Sequence, residues 1–217
     1  MKMDNTKTPN YTISIDNPKK YLSGNPLVKI LMNNFYLTIF KLIEFCLPFE
    51  NLIDVGCGEG FSIYKLRKRF PVNMFSIVGA DINKESLEIC RCINPNIPLY
   101  EENIYKLSFP SKEFDVVMCL ESLEHLQYPE DAIKELCRIS KRYLLLSVPN
   151  EPFFSLSAFI RGKYVRSFGR TPEHLQFWTS YNFVKVISKN TRVLKLRRPF
   201  PWTVALCEVI DSENINT

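Results

Sequence analysis

Residues 51–60 read Asn51-Leu52-Ile53-Asp54-Val55-Gly56-Cys57-Gly58-Glu59-Gly60, and no other segment limits the fold as strongly. A short apolar run ends in an acid, and three of the chain's seven glycines then fall at alternate positions. Glycine has no Cβ, so it permits a tight strand-to-helix turn and lets backbone come close to a ligand. A helix-like pattern follows over Phe61–Phe70. The segment predicts a nucleotide-type ligand held at the end of the first strand of an α/β sheet.

The rest of the chain extends that pattern. Strand signals at Leu52–Val55, Ser76–Ala80, Pro98–Tyr100, Phe114–Leu120 and Tyr143–Val148 alternate with helix signals at Phe61–Phe70, Lys84–Cys92 and Pro129–Ser140. Such alternation predicts a parallel sheet covered on both faces. Runs that are apolar throughout, such as Phe114–Leu120, fit strands buried on both sides. Before the sheet, apolar residues from Leu27 to Phe45 recur at helical spacing up to Pro48, which predicts one or two amphipathic helices. After it, Tyr181–Lys189 reads as helix, and Val193–Arg197 with Thr203–Ile210 as a closing pair of strands. The expected organisation is one α/β domain over 1–217. It has a flexible N-terminus (1–25), a helical cap (26–49), a ligand-binding core (50–150), an insertion (151–180) and a closing helix and strand pair (181–217).

Composition narrows the function classes. A chain of 217 residues that is 46% hydrophobic can fill one full core. Its 28 basic and 23 acidic residues leave a net charge of +5, too mild for a dedicated nucleic-acid binder. Seven cysteines without a Cys-x-x-Cys pair read as reduced thiols in a cytoplasmic protein, with Cys57, Cys119, Cys137 and Cys207 in core-like contexts. Cys90 and Cys92 alone are too few for a zinc site. The first residues have no apolar stretch of signal-peptide type, and no window reads as the roughly 20 apolar residues of a membrane span.

Two ligand classes compete for the glycine turn. A dinucleotide uses Gly-x-Gly-x-x-Gly and sets its pyrophosphate on the helix N-terminus. This chain has Gly-x-Gly-x-Gly, with Asp54 just before it and Glu59 inside it. Two acids repel a pyrophosphate and suit an ammonium or sulfonium group. A P-loop is excluded, because no Gly-Lys-Ser/Thr follows. The second strand ends at Asp81, where a carboxylate can accept both hydroxyls of a ribose.

At these residues the chain resembles the class I S-adenosylmethionine-dependent methyltransferases. Ile53–Gly60 looks like that family's first motif and Val78-Gly79-Ala80-Asp81-Ile82 like its second. Asn103-Ile104 through Phe109-Pro110 and Phe114-Asp115-Val116-Val117 look like the ones that follow. The likeness covers residues 27–150. It implies a Rossmann-like, seven-stranded, mostly parallel sheet with an antiparallel last strand, and S-adenosylmethionine as cofactor. It also implies that Asp54 and Gly56 lie near the methionine part, that Cys57, Gly58 and Gly60 join the cofactor contacts, and that Asp81 binds the ribose. Ile82 would pack on the adenine, Asn103 and the Ile104 amide would read its edge, and Leu120 would join the cofactor contacts. Asn103 stands where the family usually has aspartate; its side-chain oxygen can still accept from an amino group.

The acceptor side is read from Leu120-Glu121-Ser122-Leu123-Glu124-His125. If helical, this segment puts Glu121, Glu124 and His125 on one face. With His174, the only other histidine, these could hold Mg²⁺ or Mn²⁺. The arrangement resembles quinone-biosynthesis O-methyltransferases and small-RNA 2′-O-methyltransferases, in which such a motif is associated with a metal. Without a metal, Glu121 borders the transfer pocket, and His125 or His174 serves as general base. Residues 153–166 mix aromatics with cations, and four readings stay open: a lid, a peripheral membrane contact, a nucleic-acid contact or a packed helix. The expectation is O-methylation of a small molecule, lipid-like or quinone-like. RNA 2′-O-methylation and an inactive cofactor-binding subunit are the alternatives. Oligomeric state is not written in the sequence.

Overall fold

The structure is a computed structural model, and it describes residues 25–155 and 174–210. Helix α1 (Pro26–Cys46) opens it as one continuous element. The Asn25 side chain accepts from the Leu27 amide at 2.9 Å, and Pro26 fills the first helical position, where its missing N–H costs nothing. Pro48 bars the helix from continuing. Phe35, Tyr36, Ile39, Leu42, Ile43 and Cys46 form its buried face. With 21 residues and a mean hydropathy of 1.2 over its best window, α1 is long and apolar enough to cross a membrane by length and composition. It is not an uninterrupted apolar run, because Lys29, Asn33, Asn34, Lys41 and Glu44 break it. Its inward residues pack on the sheet and share one cluster with strand residues such as Leu52, Val116 and Val204.

Then follow β1 (Asn51–Val55), α2 (Phe61–Arg69), β2 (Ser76–Asp81), α3 (Lys84–Ile93), β3 (Leu99–Glu101) and β4 (Phe114–Leu120). After a short 3₁₀ turn at Leu123–His125 come α4 (Pro129–Ile139), β5 (Ser140–Pro149), α5 (Ser180–Ile187), β6 (Thr191–Arg197) and β7 (Trp202–Val209). The seven strands form one sheet in the order β3-β2-β1-β4-β5-β7-β6. Neighbours from β3 to β5 are parallel, and β7 runs antiparallel to both β5 and β6. This is the sheet that the sequence predicts, antiparallel last strand included.

Side chains alternate between two cores, as a pleat requires. Leu52, Val116, Met118 and Leu145 share one core with α1, α2 and α3, while Ile53, Val117, Cys119 and Leu144 share the other with α4 and α5. Both faces are covered, which accounts for the uninterrupted apolar runs. Strand order reverses at β1: β2 and β3 lie on one side of it, β4 and β5 on the other. A cleft opens at such a point, above the carboxyl ends of β1 and β4. The expected lid or membrane element at 153–166 lies mostly outside the described residues.

Candidate active site

The turn after β1 is held from below by backbone. The Gly56 and Cys57 amides both donate to the Ala80 carbonyl, at 2.7 and 3.1 Å, which ties the end of β1 to the end of β2. Gly56 has φ +77°, and a Cβ there would lie 2.4 Å from the Ser122 hydroxyl. Gly60 starts α2 at φ +76°, and its Cβ would meet the Cys90 sulfur at 2.2 Å. Both positions therefore demand glycine on two counts, conformation and space. The neighbouring Cys90 thiol and burial push the pKa of the Cys57 thiol well above its ordinary value.

Asp81 closes the other side. Its Oδ2 accepts from the Gly58 amide and its Oδ1 from the Asn83 amide, both at 2.8 Å. Burial raises its pKa, and the two amides work against that rise. Asp54 is buried at the end of β1, and desolvation, reinforced by Cys90 and Asp81, lifts its pKa well above the usual carboxylate range. Burial raises Glu59 as well.

One cavity gathers these groups. Asp54, Gly56, Cys57, Gly58, Asp81 and Ile82 line one part of it, together with Ile104 and Leu120. Ile82 is 37% exposed, an apolar side chain with an open face beside the acid. Asn103 is not on the wall. Its Oδ1 accepts from the Tyr105 amide at 3.0 Å in a local turn, and its neighbours Glu102 and Ile104 face the cavity instead. Gly60 lies behind the wall, where it sets the helix start. Sequence reasoning missed Glu102, Asn83, Ser86 and Ser62 as wall residues.

The opposite part of the wall is apolar and aromatic. Met32 and Phe35 come from α1, Leu126 from the segment after β4, and Trp202 from the start of β7. Glu121 and His125 stand among them. The helical reading of residues 120–125 is corrected here. Glu121 takes φ +54°, in the left-handed region, and only Leu123–His125 form a 3₁₀ turn. Glu121 therefore does not share a helical face with Glu124 and His125. Its carboxylate accepts from the Trp202 indole N–H on Oε2 and from the Ser147 hydroxyl on Oε1, the latter at 3.0 Å.

Glu124, His125 and His174 meet on their own. Each offers a ligand atom, and these all lie within 4.8 Å of one another. The Leu175 and Gln176 amides donate to the Glu124 carbonyl at 2.8 and 3.0 Å, which clips the 174–176 segment to the turn. The two imidazole rings lie 5.1 Å apart, edge to face. Glu121 is not part of this cluster, contrary to the expected set of four.

The family described as "Methyltransferase domain" matches residues 53–143. Over those residues the chain is similar to that family, and its sheet is the one such domains share. The ubiquinone biosynthesis O-methyltransferase of Hahella chejuensis is 28% identical over 127 residues, covering 55% of this chain and 52% of that protein. The small RNA 2′-O-methyltransferase of Arabidopsis thaliana is 27% identical over 118 residues, 48% of this chain and 12% of that protein. A methyltransferase structure from Aquifex aeolicus superposes with a TM-score of 0.66 at 15% identity, covering 91% of this chain and all of the other. The magnesium protoporphyrin IX methyltransferase of Synechocystis, solved with bound SAH, gives 0.62 at 15% identity, over 89% and 92% of the two chains. The chain spans about half the length of the curated relatives it matches.

The donor chemistry of this wall fits S-adenosylmethionine. Five carboxylates, those of Asp54, Glu59, Asp81, Glu102 and Glu121, line the cavity, and among the described residues no lysine or arginine does. That suits a cationic sulfonium and a ribose, and it repels phosphate.

Proposed function

We propose that this chain transfers the methyl group of S-adenosylmethionine to a hydroxyl oxygen of a small, largely apolar acceptor. One observation carries the reading: a single cavity joins the acidic glycine-turn wall to the aromatic wall that holds Glu121 and His125. Bound S-adenosylmethionine supplies an electrophilic methyl group on a positively charged sulfur. Asp81 accepts the ribose hydroxyls, Ile82 covers the adenine, and Gly56 lets the cofactor approach the backbone. Met32, Phe35 and Leu126 present an apolar surface to the acceptor and exclude water. His125 takes the acceptor proton, since an imidazole exchanges protons near neutral pH. Glu124, with an oxygen 4.0 Å from His125 Nε2, stabilises the cation that results. Catalysis then rests on holding two reactants in line and removing one proton. The quinone-biosynthesis relative acts on an oxygen by its name, which supports the choice of atom.

A second reading uses the same residues as a metal site. Glu124, His125 and His174 fit a divalent ion by spacing and by donor type, and two imidazoles with one carboxylate favour Mn²⁺ over Mg²⁺. Held there, an ion lowers the pKa of an acceptor hydroxyl. Labelled-methyl transfer to a panel of phenols, catechols and quinols, with and without a chelator, separates the two. Transfer that survives chelation and fails in His125→Ala supports the base. Transfer lost on chelation and restored by Mn²⁺ supports the ion. A protein that neither binds S-adenosylmethionine nor labels any acceptor contradicts both.

A further inference from the structure

Among the described residues, Glu121 is the one non-glycine on the cavity wall with a left-handed backbone. A residue held in that sparsely populated region costs energy and persists where its surroundings fix it. The surroundings here are specific. The Glu121 amide donates to the Ser147 hydroxyl at 3.1 Å, and that hydroxyl donates onward to Glu121 Oε1 at 3.0 Å. Glu121 Oε2 accepts from the Trp202 indole. An indole N–H only donates, so both oxygens act as acceptors, which a carboxylate offers. A carboxylate oxygen has two lone pairs and can accept from more than one donor at a time. Trp202 is itself immobilised: it is buried, and its ring lies 5.0 Å from Phe35 and 6.3 Å from Phe154. Ser147 sits on β5 and Trp202 at the start of β7, so two strands aim one carboxylate at the cavity.

We propose that Glu121 recognises the acceptor by accepting a hydrogen bond from its O–H or N–H group, and that Trp202 and Ser147 are positioning residues that hold the carboxylate on its line. The inference rests on the methyl-transfer reading for the identity of the ligand. Its structural part, the Trp202–Glu121 clamp, stands apart from it. The clamp makes acceptor selection a property of β5 and β7, strands that contribute nothing else to the glycine turn. It favours acceptors that carry a second O–H or N–H donor beside the reacting oxygen, and it opposes a carboxylate or phosphate at that place.

The test has two arms on the full chain. The first needs no turnover. The chain has two tryptophans, and Trp178 Nε1 is buried without a hydrogen-bond partner among the described residues, whereas Trp202 Nε1 has a carboxylate. In ¹⁵N-tryptophan-labelled protein the Trp202 indole proton is expected downfield of that of Trp178, and Glu121→Gln is expected to shift it upfield while leaving Trp178 in place. Two indole signals that ignore Glu121→Gln overturn the clamp. The second arm compares acceptor turnover in Glu121→Gln, Trp202→Phe and the double variant, with S-adenosylmethionine affinity measured by calorimetry. Each single variant is expected to lose about tenfold or more in kcat/KM for the acceptor, and the double variant no more than the worse single one, because the two act as one unit. Cofactor affinity of Trp202→Phe, which removes no charge, is expected to stay within about twofold of wild type, since the indole lies outside the glycine turn. Additive losses, or unchanged turnover in Trp202→Phe, overturn the positioning role. Absence of cofactor binding in the wild type contradicts the methyl-transfer function instead, and the indole signals then decide the clamp by themselves.

Discussion

The two walls of the cavity are built in different ways. The cofactor wall is made of short contiguous segments held through backbone amides: those of Gly56 and Cys57 donate to the Ala80 carbonyl, and that of Gly58 donates to the Asp81 carboxylate. The acceptor wall is assembled from α1, the end of β4 and the start of β7, and it is held by side chains, as in the Glu121, Ser147 and Trp202 set. Backbone bonds are indifferent to side-chain identity, so the first wall depends on glycines and one aspartate. The second can change its residues without disturbing the sheet. A scaffold of this kind keeps its donor and is free to alter its acceptor.

The comparison can be broken most sharply at the glycine turn. Gly56→Val places a side chain where even a Cβ meets Ser122 at 2.4 Å, on a residue at φ +77°. Cofactor affinity is expected to fall about 100-fold or more, equivalent to ~2.7 kcal/mol, in calorimetric titration. An unchanged affinity would mean that the turn is not the cofactor wall. Asp81→Ala removes a carboxylate that serves the Gly58 and Asn83 amides and, in the proposed function, the ribose. A loss of about 30-fold is expected, near 2 kcal/mol for hydrogen bonds to a charged group.

Acidity gives a smaller and graded effect. In the proposed function Asp81 binds ribose hydroxyls as a carboxylate, and burial raises its pKa. Protonation removes the acceptor, so affinity is present above that pKa and is lost as pH falls through it. The loss is expected to begin at a higher pH than an ordinary aspartate would dictate, and Asp81→Asn is expected to flatten it. The smallest cofactor effect is expected at the other wall, where Trp202→Phe leaves calorimetric affinity nearly untouched while acceptor turnover drops. A parallel loss of cofactor affinity there would merge the two walls into one.

The sequence made one wall legible and hid the other for the same physical reason. Strand runs such as Phe114–Leu120, and the spacing from Gly56 to Asp81, are local patterns, and the structure places them on the sheet and in the cavity as they suggest. Residues 120–125 misled because helical spacing was assumed where Glu121 adopts a positive φ, which no periodicity can reveal. Asn103 lies off the cavity wall with its side-chain oxygen accepting from the Tyr105 amide, a local turn that the motif pattern does not reveal. Trp202 lies 81 residues from Glu121, and only the antiparallel pairing of β5 with β7 brings them together. The meeting of His174 with His125 likewise depends on the Leu175 and Gln176 amides finding the Glu124 carbonyl, a contact without a local signature.

The most direct test of the central claim is calorimetric titration of S-adenosylmethionine into the wild type, Asp81→Ala and Trp202→Phe. One binding site, weakened about 30-fold by Asp81→Ala and within about twofold of wild type in Trp202→Phe, is the predicted result. No binding to the wild type, or equal loss in the two variants, would contradict the account.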